Sequence, residues 1–206
     1  EQDTSSETEW QLIDWFLSKA GITWLPHLLG NHDRWNNGGR LIKMMAGDVP
    51  VFDWKGTFII VNQSGQGFKM LAAHGLKGRS DWSELHELAR ASRTGEEADV
   101  FISGHTHTFG IWDREVAERN YSTKLIKVRG YKFIDKYALH NNFATYQRGA
   151  AVMIVFDPKQ FEKAEQLTVF ADPQKGLEYL RFVQSVNQKP SRGSTRTQSS
   201  SKQSRD

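Results

Sequence analysis

The chain has 206 residues, 38% hydrophobic and 25% charged, with a formal net charge of +3. Such values fit one soluble globular domain with a core of useful size. It contains no cysteine, which excludes a disulfide scaffold, a thiolate zinc site and a cysteine nucleophile and points to a reducing, cytoplasmic compartment.

The acidic, polar start Glu1–Glu9 is not a secretory signal, and without an initiator methionine the chain reads as processed, trimmed or a fragment. Ser5–Ala20 sets Trp10, Ile13, Leu17 and Ala20 at helical spacing and stops at Gly21, which predicts an amphipathic helix. Thr23–Leu29 reads as a strand ending at Gly30, and Arg40–Met45 as a short helix after the Asn36–Gly39 turn cluster. Thr57–Val61 and Lys69–Ala73 are expected to form two strands joined by the loop Asn62–Gly67. Ser80–Ser92 reads as a helix capped by Ser80, with Trp82, Leu85, Leu88 and Ala89 on one face. Asp99–Ser103 is a predicted strand ending at Gly104; Leu125–Val128, Ala150–Phe156 and Gln166–Phe170 are further strand candidates, and Gly176–Val186 is a final helix. The longest unbroken apolar run, Ala150–Phe156, falls far short of the ~20 residues that a membrane helix needs.

Helices and strands alternate early and strands dominate late, so the expected fold class is α/β with mixed sheets. Residues 1–188 are read as one domain and 189–206 as a disordered tail. In that tail Lys189, Arg192, Arg196, Lys202 and Arg205 face only Asp206, so it carries four positive charges net and leaves the body slightly acidic. It has no aliphatic or aromatic residue to offset the cost of ordering. The tail is either a solvated extension or a loose nucleic-acid contact.

Three predicted strand ends carry histidine beside glycine: Gly30-Asn31-His32-Asp33, His74-Gly75 and Gly104-His105-Thr106-His107. Glycine lets the backbone turn tightly and approach a ligand closely, and strand ends of α/β folds are where ligands bind. A lone histidine is more often a satisfied core or surface residue, the reading given to His27, His86 and His140. Three coincidences at strand ends are different. If His105 and His107 continue an extended chain, they project to one side about 6.5–7 Å apart, a spacing that serves two cations ~3.5–4 Å from each other. Imidazoles with the Asn31 carboxamide suit Zn²⁺, Mn²⁺, Fe²⁺ or Ni²⁺. His32 must point away from its neighbour Asn31, with Asp33 placed to orient it, which makes it a candidate proton donor. Charge then exposes a gap: Asn31, His74, His105 and His107 bring no negative charge, and two adjacent dications need carboxylates. Asp48 is the nearest candidate, but it sits in a predicted loop with Val51 where a second acid would be useful.

In this order and spacing the three blocks, which span residues 30–107, closely resemble those of the calcineurin-like metallophosphoesterases. The resemblance implies two divalent cations held in part by Asn31, His74 and His105 on one ion and His107 on the other. It also implies His32 as the acid that protonates the leaving group, steadied by Asp33, and a metal-bridged hydroxide as nucleophile. The family's preceding D-x-H and G-D-x-x-D blocks are not in these residues, so the chain is expected to correspond to the C-terminal portion of such an enzyme. The stretch Tyr131–Pro158 is similar to phosphoesterases encoded by bacteriophages. The implied activity is hydrolysis of phosphate monoesters or diesters.

Arg34 reads either as a phosphate contact, because a guanidinium fork matches phosphate oxygens, or as a solvated loop residue; Lys77 and Arg79 admit the same two readings. Two alternatives stand beside the hydrolase. One is a non-catalytic, phosphoesterase-like interaction module, and the other is a nuclease of the same fold in which Trp35, Trp54 and Trp112 stack on bases and not within the protein.

Overall fold

The computed structural model describes residues 5–78, 80, 82–130 and 149–187. His140, Arg79, most of the stretch 131–158 and the tail 189–206 lie outside the described residues. Helix α1 (Ser6–Ser18) starts where the Ser5 hydroxyl accepts the Thr8 N–H, a side-chain cap that satisfies one of the first free donors. Its covered side carries Trp10, Ile13 and Leu17. Strand β1 (His27–Leu29) pairs in parallel with β2 (Val51–Asp53). The predicted Thr23–Leu29 strand is therefore shortened, because Pro26 has no N–H to give to a ladder. Between these strands lie a 3-10 segment, His32–Asn37, and α2 (Gly38–Met45).

The main sheet joins β3 (Lys55–Val61), β4 (Gly67–Ala73), β5 (Val100–Ser103), β6 (Gly110–Val116) and β7 (Tyr121–Lys127) in the order β3-β4-β5-β7-β6. The three middle strands run parallel and the two edge strands antiparallel to their neighbours. Helix α3 (His86–Thr94) makes the crossover between β4 and β5. Successive side chains of a strand face opposite ways, and the sheet accordingly feeds two cores. Leu71, Phe101 and Leu125 pack with Leu85 and Leu88 on the α3 side. Met70, Val100 and Ile126 pack with Phe68 and Leu167 on the other. That second face is covered by the antiparallel pair β8 (Met153–Phe156) and β9 (Leu167–Phe170), against which α4 (Pro173–Asn187) lies. The chain is thus α/β with a mixed five-stranded sheet. Among the described residues no helix is long and apolar enough to cross a membrane.

Two expectations are corrected here. The helix predicted over Ser80–Ser92 begins at His86, and Trp82 is 98% exposed, not on an apolar face. The Ser80 hydroxyl accepts the N–H of Trp82 two residues on, which closes a local turn in competition with a helix. Strands β2 and β6 had no counterpart in the sequence reading. The first is only three residues long. The second is an edge strand whose Asp113, Arg114 and Glu115 hide its periodicity and protect its open side.

Candidate active site

The three histidine-bearing segments follow directly from β1, β4 and β5. β4 and β5 are parallel neighbours, so His74 and the 104–107 segment leave the sheet at the same end, joined where Gly104 N–H donates to His74 O at 3.3 Å. β1 belongs to a different sheet, and Trp54 links the two. Its N–H donates to Leu29 O at 3.2 Å, and its carbonyl accepts the His74 N–H at 2.8 Å. Its indole Nε1–H donates to Gly75 O at 2.8 Å. Trp54 does this from the left-handed region, at φ 67°, an uncommon conformation for a bulky residue that concentrates where surrounding structure over-determines it.

The result brings Asn31 to His74. Asn31 Oδ1 and His74 Nε2 lie 2.8 Å apart, while the His74 and His105 rings are separated by 4.5 Å between centroids. The Trp54 indole walls one flank, 4.9 Å from the His74 ring and 6.0 Å from that of His105. Such an approach leaves no room beside Gly30: a Cβ there would lie 2.5 Å from His74 Cε1. Glycine in this block is thus a requirement of the neighbouring ring as well as of the turn. Burial holds the His74 pKa below the ordinary imidazole value of 6.5. His105 lowers it further, Asp33 opposes that effect, and His32 and His107 add small decreases. All four groups are therefore electrostatic neighbours of His74, and together with burial they favour its neutral imidazole.

His105 and His107 do not continue β5. The strand ends at Ser103, and both histidines take positive φ, 71° and 53°. The expected extended spacing of the pair is therefore wrong. Thr106 N–H donates to Gly104 O at 2.9 Å, so the segment curls immediately after the glycine. His32 is exposed, with its ring 4.3 Å from that of Trp35. Asp33 Oδ2 accepts the Gly30 N–H at 2.7 Å, closing the turn in which His32 sits, so its hold on His32 runs through the backbone of that turn. Arg34 and Lys77 are exposed, and Asp48 lies exposed in a turn after α2.

His27 needs a correction too. It is half-buried on β1, and its Nε2 is buried with no hydrogen-bond partner among the described residues. Burial lowers its pKa. The satisfied state expected of a lone histidine does not hold. His86 opens α3, as a helix-face reading requires. Trp35 is largely exposed and Trp112 less so, with the Arg114 guanidinium over its ring; Trp54, also weighed for base stacking, walls the site. Its tying role has no sequence signal, because nothing in Asp53-Trp54-Lys55 announces a left-handed bend.

The donor chemistry fits a cation in part. A carboxamide oxygen and neutral imidazole nitrogens are ligands for borderline divalent ions, and the contact between Asn31 Oδ1 and His74 Nε2 can be satisfied by a proton on Nε2 or by a cation facing both atoms. Among the described residues no group of three or more His, Cys, Asp or Glu side chains is arranged to hold a metal ion. Asp33, the carboxylate that acts on His74, already accepts a backbone N–H. No protein-family model matches the chain, and a search of curated proteins finds no match.

Proposed function

We propose that the protein hydrolyses phosphate esters with divalent cations held by Asn31, His74, His105 and His107, on the calcineurin-like plan that its motifs resemble. The observation that supports this reading most is the 2.8 Å approach of Asn31 Oδ1 to His74 Nε2, from segments 43 residues apart. A carboxamide oxygen facing an imidazole nitrogen is a donor pair that a cation could take in place of the proton between them. A bound divalent cation supplies Lewis acidity toward phosphoryl oxygens and eases deprotonation of water.

The protein groups take the remaining roles. His32, exposed beside Trp35, protonates the leaving oxygen. Asp33 keeps the 30–33 turn closed through Gly30, and Arg34 contacts phosphate oxygens with its guanidinium fork. Trp54 excludes water from one flank. Cations this close to one another also need negative charge, which on this reading comes from carboxylates beyond the Asn31–His74–His105 cluster.

The test is hydrolysis of p-nitrophenyl phosphate and bis-p-nitrophenyl phosphate by the native gene product with Mn²⁺, Zn²⁺, Fe²⁺ or Ni²⁺. Activity that a chelator removes and Mn²⁺ restores is expected. Cation binding with no hydrolysis of either ester would instead favour a non-catalytic module.

A further inference from the structure

Beneath the histidine loops lies a charge pair outside the cluster. Glu87, in the first turn of α3, and Lys127, the last residue of β7, have side chains only 7% and 4% exposed, with Lys127 Nζ 2.9 Å from Glu87 Oε1. The same oxygen accepts the Ser103 hydroxyl at 2.8 Å, and Oε2 accepts the Leu76 N–H at 3.3 Å. These partners are not scattered. Leu76 is two residues after His74, and Ser103 is two residues before His105.

Stability does not account for such a pair. Removing two ions from water costs about as much as their attraction returns, and well-packed apolar replacements are often neutral or better. What a buried carboxylate with three directional donors does provide is a fixed point. One carboxylate sets the 74–76 segment, the end of β5 and the end of β7 at defined separations.

We propose that Glu87, neutralised in place by Lys127, is the positioning residue of the His74–His105 pair. It acts through Leu76 N–H and the Ser103 hydroxyl, and it sets the cation affinity of the cluster without touching a cation. The second half rests on the cation reading above; the first does not.

The experiment compares the full chain with Glu87→Gln/Lys127→Met, which removes both charges together, and with Ser103→Ala, which removes one anchor and leaves the charge pair intact. The ring-to-ring nuclear Overhauser effect between His74 and His105, recorded without added metal, reports the geometry. Zn²⁺ titration calorimetry reports the affinity. The double variant should stay folded, lose most of the ring-to-ring signal and bind Zn²⁺ about 10–100-fold more weakly, the usual cost of losing a group that orients metal ligands. Ser103→Ala should show a smaller change of the same sign with an unchanged melting temperature. Should the double variant fail to fold, Ser103→Ala decides alone. A folded double variant, or a Ser103→Ala protein, with the wild-type ring signal and wild-type Zn²⁺ affinity overturns the proposal. If the wild-type chain binds no Zn²⁺, the cation reading fails, and the ring signal alone decides whether Glu87 positions the pair.

Discussion

The two ends of the central sheet are built from different chemistry. At the end where β4, β5 and β7 begin, an open cleft is lined by charged side chains, and its lysines are paired with carboxylates of the protein. Lys69 meets Glu96 at 2.9 Å, Lys124 meets Asp113 at 2.8 Å and Lys163 meets Asp99 at 2.8 Å. Asp99 Oδ2 also accepts the Lys69 N–H at 2.7 Å. At the end where β4 and β5 finish, imidazoles and a carboxamide lie close together on glycine-broken loops, above the buried Glu87–Lys127 pair. Charges paired within the protein have little left to offer a ligand. Imidazole and carboxamide donors that lie this close to one another do, and this end is for that reason the more promising site.

Four substitutions test that contrast, beginning with the largest effect. His74→Ala should take cation content to background and abolish hydrolysis, because the cluster loses the group that contacts both Asn31 and His105. Elemental analysis of the purified variant checks this, and full metal occupancy would break the assignment. His32→Ala should keep its metal and lose about 10²–10⁴-fold in turnover, the usual contribution of a general acid. The loss should shrink for nitrophenyl esters, whose leaving group departs without a proton. If His32→Ala loses metal as fully as His74→Ala, His32 is a ligand and not an acid.

At the opposite end, Asp99→Ala should cost about 2 kcal/mol, the scale of hydrogen bonds to a charged group. That corresponds to about 4–8 °C in melting temperature for a chain of this size, with no change in Zn²⁺ affinity. A changed affinity would mean that the two ends are coupled.

The smallest effect is one of pH. His27 and His74 both have folded-state pKa values below the ordinary 6.5. Between the depressed values and 6.5 the unfolded chain therefore binds more protons, so stability is full above pH 6.5 and declines as pH falls through that window. His27→Phe removes an unpartnered buried nitrogen while keeping a ring against Trp24. Urea midpoints between pH 5 and 7.5 should vary less in this variant, and an unchanged slope would assign the whole effect to His74.

Much of this arrangement is legible in the sequence, but unevenly. Met70/Leu71, Val100/Phe101 and Leu125/Ile126 are adjacent apolar pairs that face the two cores, so buried strands β4, β5 and β7 announce themselves as apolar runs. Strand β6 escapes notice because one of its sides is open and carries charge. The residues of the site stand out because glycine beside histidine at a strand end is uncommon. Their mutual geometry does not. His105 and His107 adopt left-handed backbone that residue type does not announce, and Trp54 joins two sheets through main-chain atoms that every residue possesses. Glu87 is invisible for a different reason, since a glutamate at a helix start looks like an exposed cap until the fold buries it.

The position of Trp54 also makes the cluster readable by light. Indole emission is quenched by a protonated imidazole against the ring and by paramagnetic ions nearby, and this indole lies 4.9 Å from His74 and 6.0 Å from His105. Trp54 is one of seven tryptophans, so its signal is the part of the emission that responds to acid or to Mn²⁺ in the wild-type protein and is missing in Trp54→Phe. The residue that holds the two sheets together is thereby a built-in optical probe, able to follow histidine protonation and to test for the proposed cation in real time without any label.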